Sequence, residues 1–406
     1  MGHGEAMRRW GGRIGLGLGI ILLLFLNFLA LSPQGRTIVT SALFVTQVLP
    51  IPIKPQEWIT ADPVRETVTF QLASGDAEAD IYQVPDDKKR AGVLVFLGVD
   101  PAPRDDDRVV NLGNGLARAG FVVMFPWSPT MMGKRIHPSE PDNLVHAFKF
   151  LRGLDSVDPE RVGMGGFCVG GSISVIAASD PRINDAVQFV SSFGGYYNVY
   201  DLLKQIASNR SIYQQTVEPW EPDHLAEEVF ANQLIEGLED GQEKELVSEI
   251  FLDERGSLRK DVIIEEGSAE SQALGELSKG GNAAYRILAS MSARSDQDKL
   301  TVKEAEGYIR ELPSSFLDEF EKISPSTNIG NLKARLLIAH DREDDLVPSE
   351  ESKRLADAVS ERGDLHYTEF SFFSHVTPDK QVGPFIFVKE AFKLFRYTYS
   401  IIRVAE

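Results

Sequence analysis

The chain has 406 residues, with 60 Asp or Glu against 42 Lys or Arg, and a formal net charge of −18. Its 43% hydrophobic and 25% charged residues are the balance of a folded chain with a packed core, which excludes disorder throughout. The acidic excess argues against a nucleic-acid surface, which must neutralise phosphates, and a single Cys excludes a disulfide framework and a Cys-based metal cluster.

Residues 14–31 (IGLGLGIILLLFLNFLAL) carry no charge. At ~1.5 Å per residue this stretch is about 27 Å long, close to the hydrocarbon thickness of a bilayer. We read it as an uncleaved single-pass transmembrane helix. The competing reading is a signal peptide cut at Ala30-Leu31-Ser32, against which Pro33 argues. Arg8, Arg9 and Arg13 precede the segment and only Arg36 follows closely, so the N-terminus is expected in the cytoplasm and the catalytic domain outside it. Residues 37–49 are apolar again but too short to cross a membrane before Pro50. Lying at the interface, packing on the domain and extending the first helix all remain open for them. Pro50, Pro52 and Pro55 make an extended spacer, and the folded domain begins near Asp62.

From Val64 the pattern becomes strands alternating with helices. Residues 64–70 and 79–85 alternate apolar and polar positions, as in a half-exposed antiparallel pair. GVLVFLG (92–98) and GFVVMFP (120–126) are continuous apolar runs, expected for strands covered on both faces. A helical segment lies between them at 109–120 and another follows at 142–153, then the strand RVGMGGF (161–167), a helix from about Val169, and a strand within 185–195. Such alternation implies an α/β fold with a mostly parallel sheet and helices on both faces. It stops near Tyr197 and resumes at ARLLIAH (334–340).

Residues 201–330 hold 27 acidic and 13 basic residues and no buried-strand run, so they read as several amphipathic helices, among them 223–238. A structureless loop of that length is improbable inside a compact domain. The expected organisation is therefore 1–36 cytoplasmic stub and anchor, 37–62 linker, 63–197 with 330–406 as the α/β core, and 198–329 as an inserted helical cap covering a site.

Gly166-Phe167-Cys168-Val169-Gly170 directly follows an apolar strand and opens a helix. That is the context of a nucleophile elbow, in which a strained strand-to-helix turn presents the central side chain and glycines let the backbone pass closely. The helix N-terminus favours thiolate at such a cysteine. The segment, continued by Gly171, resembles the elbow of the dienelactone hydrolase family, α/β-hydrolases that carry Cys where most relatives carry Ser. Asp344-Asp345-Leu346-Val347-Pro348 is similar to that family's acid turn, with Asp341 standing where the family has glycine. Ser374-His375 follows the apparent last strand, LHYTEF (365–370).

The resemblance implies Cys168 as nucleophile, His375 as base and Asp344 as its acid, with the backbone N–H groups of Val169 and Val99 as the oxyanion hole. Asp341 and Asp345 are the alternatives to Asp344. No Arg stands shortly after His375, where Val376-Thr377-Pro378-Asp379-Lys380 follows, so Lys134 and Arg135 are the candidates to hold a substrate carboxylate. The family's Glu after the third strand corresponds to Asp100 or has no counterpart.

No P-loop, no dinucleotide-binding glycine motif between a strand and a helix, and no metal-ligand spacing occurs, so no cofactor or metal is called for. The expected activity is hydrolysis of a small-molecule carboxylic ester or lactone through an acyl-thioester, by an enzyme bound to the membrane through its N-terminal helix and without a nucleic-acid partner. The alternatives are acyl transfer and a non-catalytic, membrane-tethered binding protein on a hydrolase scaffold.

Overall fold

The computed structural model describes residues 23–239 and 241–405. Eight strands form one sheet: β1 (Val64–Leu72), β2 (Gly75–Gln83), β3 (Arg90–Phe96), β4 (Phe121–Pro126), β5 (Val157–Phe167), β6 (Val187–Phe193), β9 (Arg335–Asp341) and β10 (Leu365–Phe370). Their order is β1-β2-β4-β3-β5-β6-β9-β10. β2 runs antiparallel to both neighbours, whereas every pairing from β4 through β10 is parallel. This is the strand order of the α/β-hydrolase fold.

The continuous apolar runs of β3 and β4 follow from burial on both faces. Along β3, Leu94 and Phe96 pack on one side against the helices Glu140–Arg152 and Val169–Ala178, while Val93 and Val95 belong to the cluster on the other. That second side is covered by the helices Pro33–Val48, Asp107–Arg118 and Pro384–Ile402.

Residues 14–22 of the expected anchor lie outside the described residues. Residues 23–31 are helical, and apart from the half-buried Leu29 their large apolar side chains are exposed, from 43% at Phe28 to 72% at Leu31. Among the described residues no helix is long and apolar enough to cross a membrane. The apolar stretch 37–49 packs on the domain: Phe44, Val45 and Leu49 are buried in the sheet-side cluster.

The expected extended spacer is a correction. Pro55–Ile59 is a short helix, started by a proline that needs no acceptor for its missing N–H. The Gln56 amide donates to Gly115 O at 3.1 Å, and Lys54 Nζ donates to the carbonyls of Thr46, Gln47 and Leu49 at the end of the preceding helix. These bonds fasten the segment to the domain, where a free linker was expected.

The insertion is largely helical, with Asp223 accepting from Leu225 N–H to cap the helix His224–Glu236. It also holds a short hairpin, β7 (Arg210–Tyr213) with β8 (Thr216–Pro219), whose second strand is fully exposed and so has no apolar alternation to announce it. Its core, including Phe230, Leu234, Ile287 and Phe320, is continuous with that on the Leu94 side of the sheet.

Candidate active site

β5 ends at Phe167, and the chain turns at Cys168 into the helix Val169–Ala178. Cys168 has φ 54 and ψ −134, a backbone conformation that costs a non-glycine residue energy and persists only when its surroundings enforce it. The surroundings here are glycines. A Cβ on Gly170 would lie 2.2 Å from Phe96 O, and one on Gly166 would lie 2.4 Å from Gly170 C. A Cβ on Gly98, in the loop after β3, would stand 2.7 Å from Cys168 Cβ. Cys168 N–H donates to Phe193 O at 2.7 Å, fixing the turn to the end of β6.

Val169 opens the helix, so its N–H has no intrahelical acceptor. Val99 is buried in the loop after β3 and lines the cavity onto which Cys168 opens.

His375 sits in the loop after β10 with φ 54, where Ser374 and Thr377 exchange backbone hydrogen bonds of 2.8 and 3.0 Å. Its Nδ1–H donates to Asp344 Oδ2 across 2.6 Å. Nε2 is buried without a hydrogen-bond partner. Cys168 and His375 line the same cavity.

Asp344 Oδ1 accepts from the N–H groups of Leu346 and Val347 at 2.9 and 3.0 Å. Burial would raise this carboxyl, but His375 and His340 outweigh it and hold Asp344 far below the ordinary carboxylate range. Burial likewise opposes charge on His375, yet Asp344 first and Cys168 second hold the imidazole well above its usual value.

Of the alternative acids, Asp341 is fully buried but taken up by Lys380 Nζ at 2.6 Å and by the N–H groups of Glu343 and Phe373. Asp345 is exposed, and its backbone carbonyl accepts from Asp223 N–H at 2.7 Å.

Lys134 and Arg135 do not face the cavity. Lys134 Nζ lies 2.8 Å from Glu228 Oε2 and 4.0 Å from Asp100, while Arg135 pairs with Glu236 at 2.8 Å. Both Glu residues belong to the helix His224–Glu236, so the basic pair ties the insertion to the core. Asp100, at φ 51, lines the cavity. Among the described residues the insertion contributes only Leu225 to the lining, so it flanks the site where a cover was expected.

Three contacts were invisible in the sequence. His340, at the end of β9, places Nε2 2.8 Å from Val347 O and 3.3 Å from Asp344 Oδ2, with Nδ1 2.6 Å from Ser352 Oγ. Trp220 of the insertion donates its indole N–H to Asp344 O at 2.8 Å. Lys380 supports the loop of His375 through Asp341. Only the Asp-rich turn hinted at the last of these. Among the described residues no group of His, Cys, Asp and Glu is arranged to hold a metal ion.

The dienelactone hydrolase family model matches residues 128–238, a stretch that contains the elbow but neither Asp344 nor His375. No curated protein sequence matches the chain. Among solved structures, a Pyrobaculum calidifontis esterase shares 14% identity with a TM-score of 0.45, over 95% of this chain and 97% of that one. The Pyrococcus horikoshii acylaminoacyl peptidase shares 12% with a TM-score of 0.44, over 84% of this chain and 41% of its own. A puromycin-hydrolyzing peptidase of Mycobacterium tuberculosis shares 13% with a TM-score of 0.43, over 82% and 37%. The chain thus spans about two fifths of the length of those peptidases.

Proposed function

We propose that this protein is a dienelactone-hydrolase-like hydrolase of carboxylic esters or lactones, acting through Cys168, His375 and Asp344. The observation that carries the reading is the 2.6 Å bond from His375 Nδ1 to the buried Asp344, on a cavity shared with a cysteine at φ 54 on an elbow. The family match over the elbow supports the hydrolase class.

In this reading Asp344 fixes the ring of His375, and Nε2 takes the Cys168 proton. The sulfur attacks the ester carbonyl, and the N–H groups of Val169 and Val99 hold the oxyanion. Collapse expels the alcohol, which leaves with the proton from His375, and an acyl-thioester remains. Water, deprotonated by His375, attacks the thioester. The acid leaves, and the thiol regains its proton.

The exposed apolar residues 23–31, contiguous with the uncharged residues 14–22, support a single-pass tether with the N-terminus in the cytoplasm and the domain outside.

The test compares the full chain with Cys168→Ala, both in lipid nanodiscs, on p-nitrophenyl esters and simple lactones, with mass spectrometry of the quenched enzyme. Turnover by the wild type alone, with an acyl adduct on Cys168, is expected. Equal rates in the two proteins would sink the nucleophile assignment. A folded wild type that neither turns over nor is alkylated at Cys168 by iodoacetamide would favour a binding protein on the same scaffold.

A further inference from the structure

The cavity onto which Cys168 and His375 open does not end beneath them. It encloses about 650 Å³ and continues down the sheet face bearing Val93, Phe189 and Phe193, as far as Phe44, Leu116 and Ile402 on the covering helices. We propose that it is a channel for a linear aliphatic chain, so that the substrate is the ester of a long-chain acid or alcohol. This deepens the reading of Cys168 as nucleophile and rests on it.

The first argument is packing. A sheet face covered by helices is normally filled at close to crystal density, with few voids larger than a water molecule. A cavity of this size, open at the elbow and with Val, Leu, Ile and Phe making half of its lining residues, falls instead in the range of ligand pockets. Water gains too few hydrogen bonds from such walls to fill it well.

The second argument is the floor. Gly165 of β5 pairs with Ser191 of β6 in the middle of the sheet, and both line the cavity. A Cβ on Gly165 would lie 2.7 Å from Ser191 Cβ. Central parallel strands ordinarily present large aliphatic side chains here; at Gly165 a side chain would collide with Ser191, so this part of the floor carries only small residues. The Ser191 hydroxyl is 2.7 Å from Tyr397 Oη, so these two polar groups satisfy each other.

The third argument is length. From Phe193, beside the elbow, down to Phe189 is four residues of strand, about 13 Å at ~3.3 Å per residue. An extended hydrocarbon advances slightly less than its ~1.5 Å bond length per carbon, so the channel accepts roughly ten carbons. One wall of it is the helix Pro33–Val48, which directly follows the exposed apolar residues 23–31 and contributes Phe44, Gln47 and Val48.

The experiment has two independent readouts on the full chain in nanodiscs. The first is the specificity constant for p-nitrophenyl acetate, hexanoate, decanoate and hexadecanoate, and for the matching alkyl acetates. Each methylene buried favours the complex by up to about fourfold, so a rise of at least ~100-fold from the shortest to the ten-carbon chain is expected in one of the two series. In Ile401→Trp, which fills the far end, the decanoate-to-acetate ratio should fall at least ~tenfold. The second readout needs no catalysis: calorimetric titration of decanoate, matched to the ten-carbon length, into Cys168→Ala and into the same variant carrying Ile401→Trp, where binding should be lost. Turnover of acetate with a flat chain-length profile and no decanoate binding would overturn the channel and leave the triad standing. Decanoate binding that Ile401→Trp abolishes, with no ester turned over, would uphold the channel and overturn the hydrolase reading.

Discussion

The indole N–H of Trp220 donates to the backbone carbonyl of Asp344 across 2.8 Å, joining the insertion to the acid turn. Three residues on, Asp223 N–H donates to Asp345 O at 2.7 Å. The insertion therefore holds the acid in place while contributing almost nothing to the cavity wall. Trp220→Phe keeps the ring and removes the donor. Losing one such bond is worth about 1 kcal/mol, so kcat should fall roughly fivefold if that energy serves the placement of Asp344. The pH at which activity rises should move with it, because His375 takes its raised affinity for protons partly from Asp344. Steady-state kinetics across pH checks this. A lower melting temperature with an unchanged pH profile would reduce Trp220 to a structural role.

Gly98 has a sharper consequence. Its Cβ position lies 2.7 Å from Cys168 Cβ and 3.0 Å from Phe167 O, so Gly98→Ala must push the Val99 loop away from the elbow. Backbone can yield here only by moving the amide assigned to the oxyanion. Loss of one such donor typically costs about a hundred- to a thousandfold in kcat. The expected result is a folded protein, its Cys168 still alkylated by iodoacetamide, with kcat reduced by that order and KM changed much less. Wild-type kcat in this variant would remove Val99 from the oxyanion hole.

The Asp344–His375 pair also predicts how stability depends on pH. Asp344 is depressed in the folded state, so its contribution is complete above the unfolded carboxyl value of ~3.9 and is lost as pH falls through the depressed value. His375 is raised, so its contribution is complete below the unfolded imidazole value of ~6.5 and is lost as pH climbs through the raised one. Wild type should therefore lose melting temperature above about pH 6.5 through this pair. In Asp344→Asn the imidazole loses its main support, and this part of the alkaline decline should flatten. Parallel melting curves for the two proteins from about pH 5 to about pH 9 would show that the pair does not contribute in this way.

Much of the fold was legible because buried parallel strands write themselves as unbroken apolar runs, as at 92–98 and 120–126. The elbow was legible for a different reason: Gly166 and Gly170 are forced by contacts of 2.4 and 2.2 Å, with each other and with Phe96 O of β3, and both fall within the five residues of one strand-to-helix turn. Asp344 and His375 were placed by resemblance alone, and 2.6 Å now separates their facing atoms. Long-range pairings left no such trace. Nothing near Trp220 announces Asp344, 124 positions away in the chain. Pro50, Pro52 and Pro55 read as a free spacer because the bonds from Lys54 and Gln56 that fasten it depend on tertiary neighbours. The hairpin β7–β8 escaped notice because the strand Thr216–Pro219 buries no residue and so has no alternation to read.

Lys134 offers a test that separates a strut from a substrate clamp. Its partner Glu228 is only 6% exposed in the side chain, so the ion pair stands between the core and the buried face of an insertion helix. Removing the cation strands a buried carboxylate, a change that typically destabilises by about 3 kcal/mol. Lys134→Met should therefore lower the melting temperature by several degrees, and adding Glu228→Gln should recover most of the loss, since the uncompensated charge is then gone. A clamp would behave differently: the single variant would lose anionic esters selectively through KM. Equal KM ratios for succinate monoesters and neutral butyrate esters in wild type and Lys134→Met are expected. A selective rise for the anionic ester, without loss of stability, would return Lys134 to the substrate.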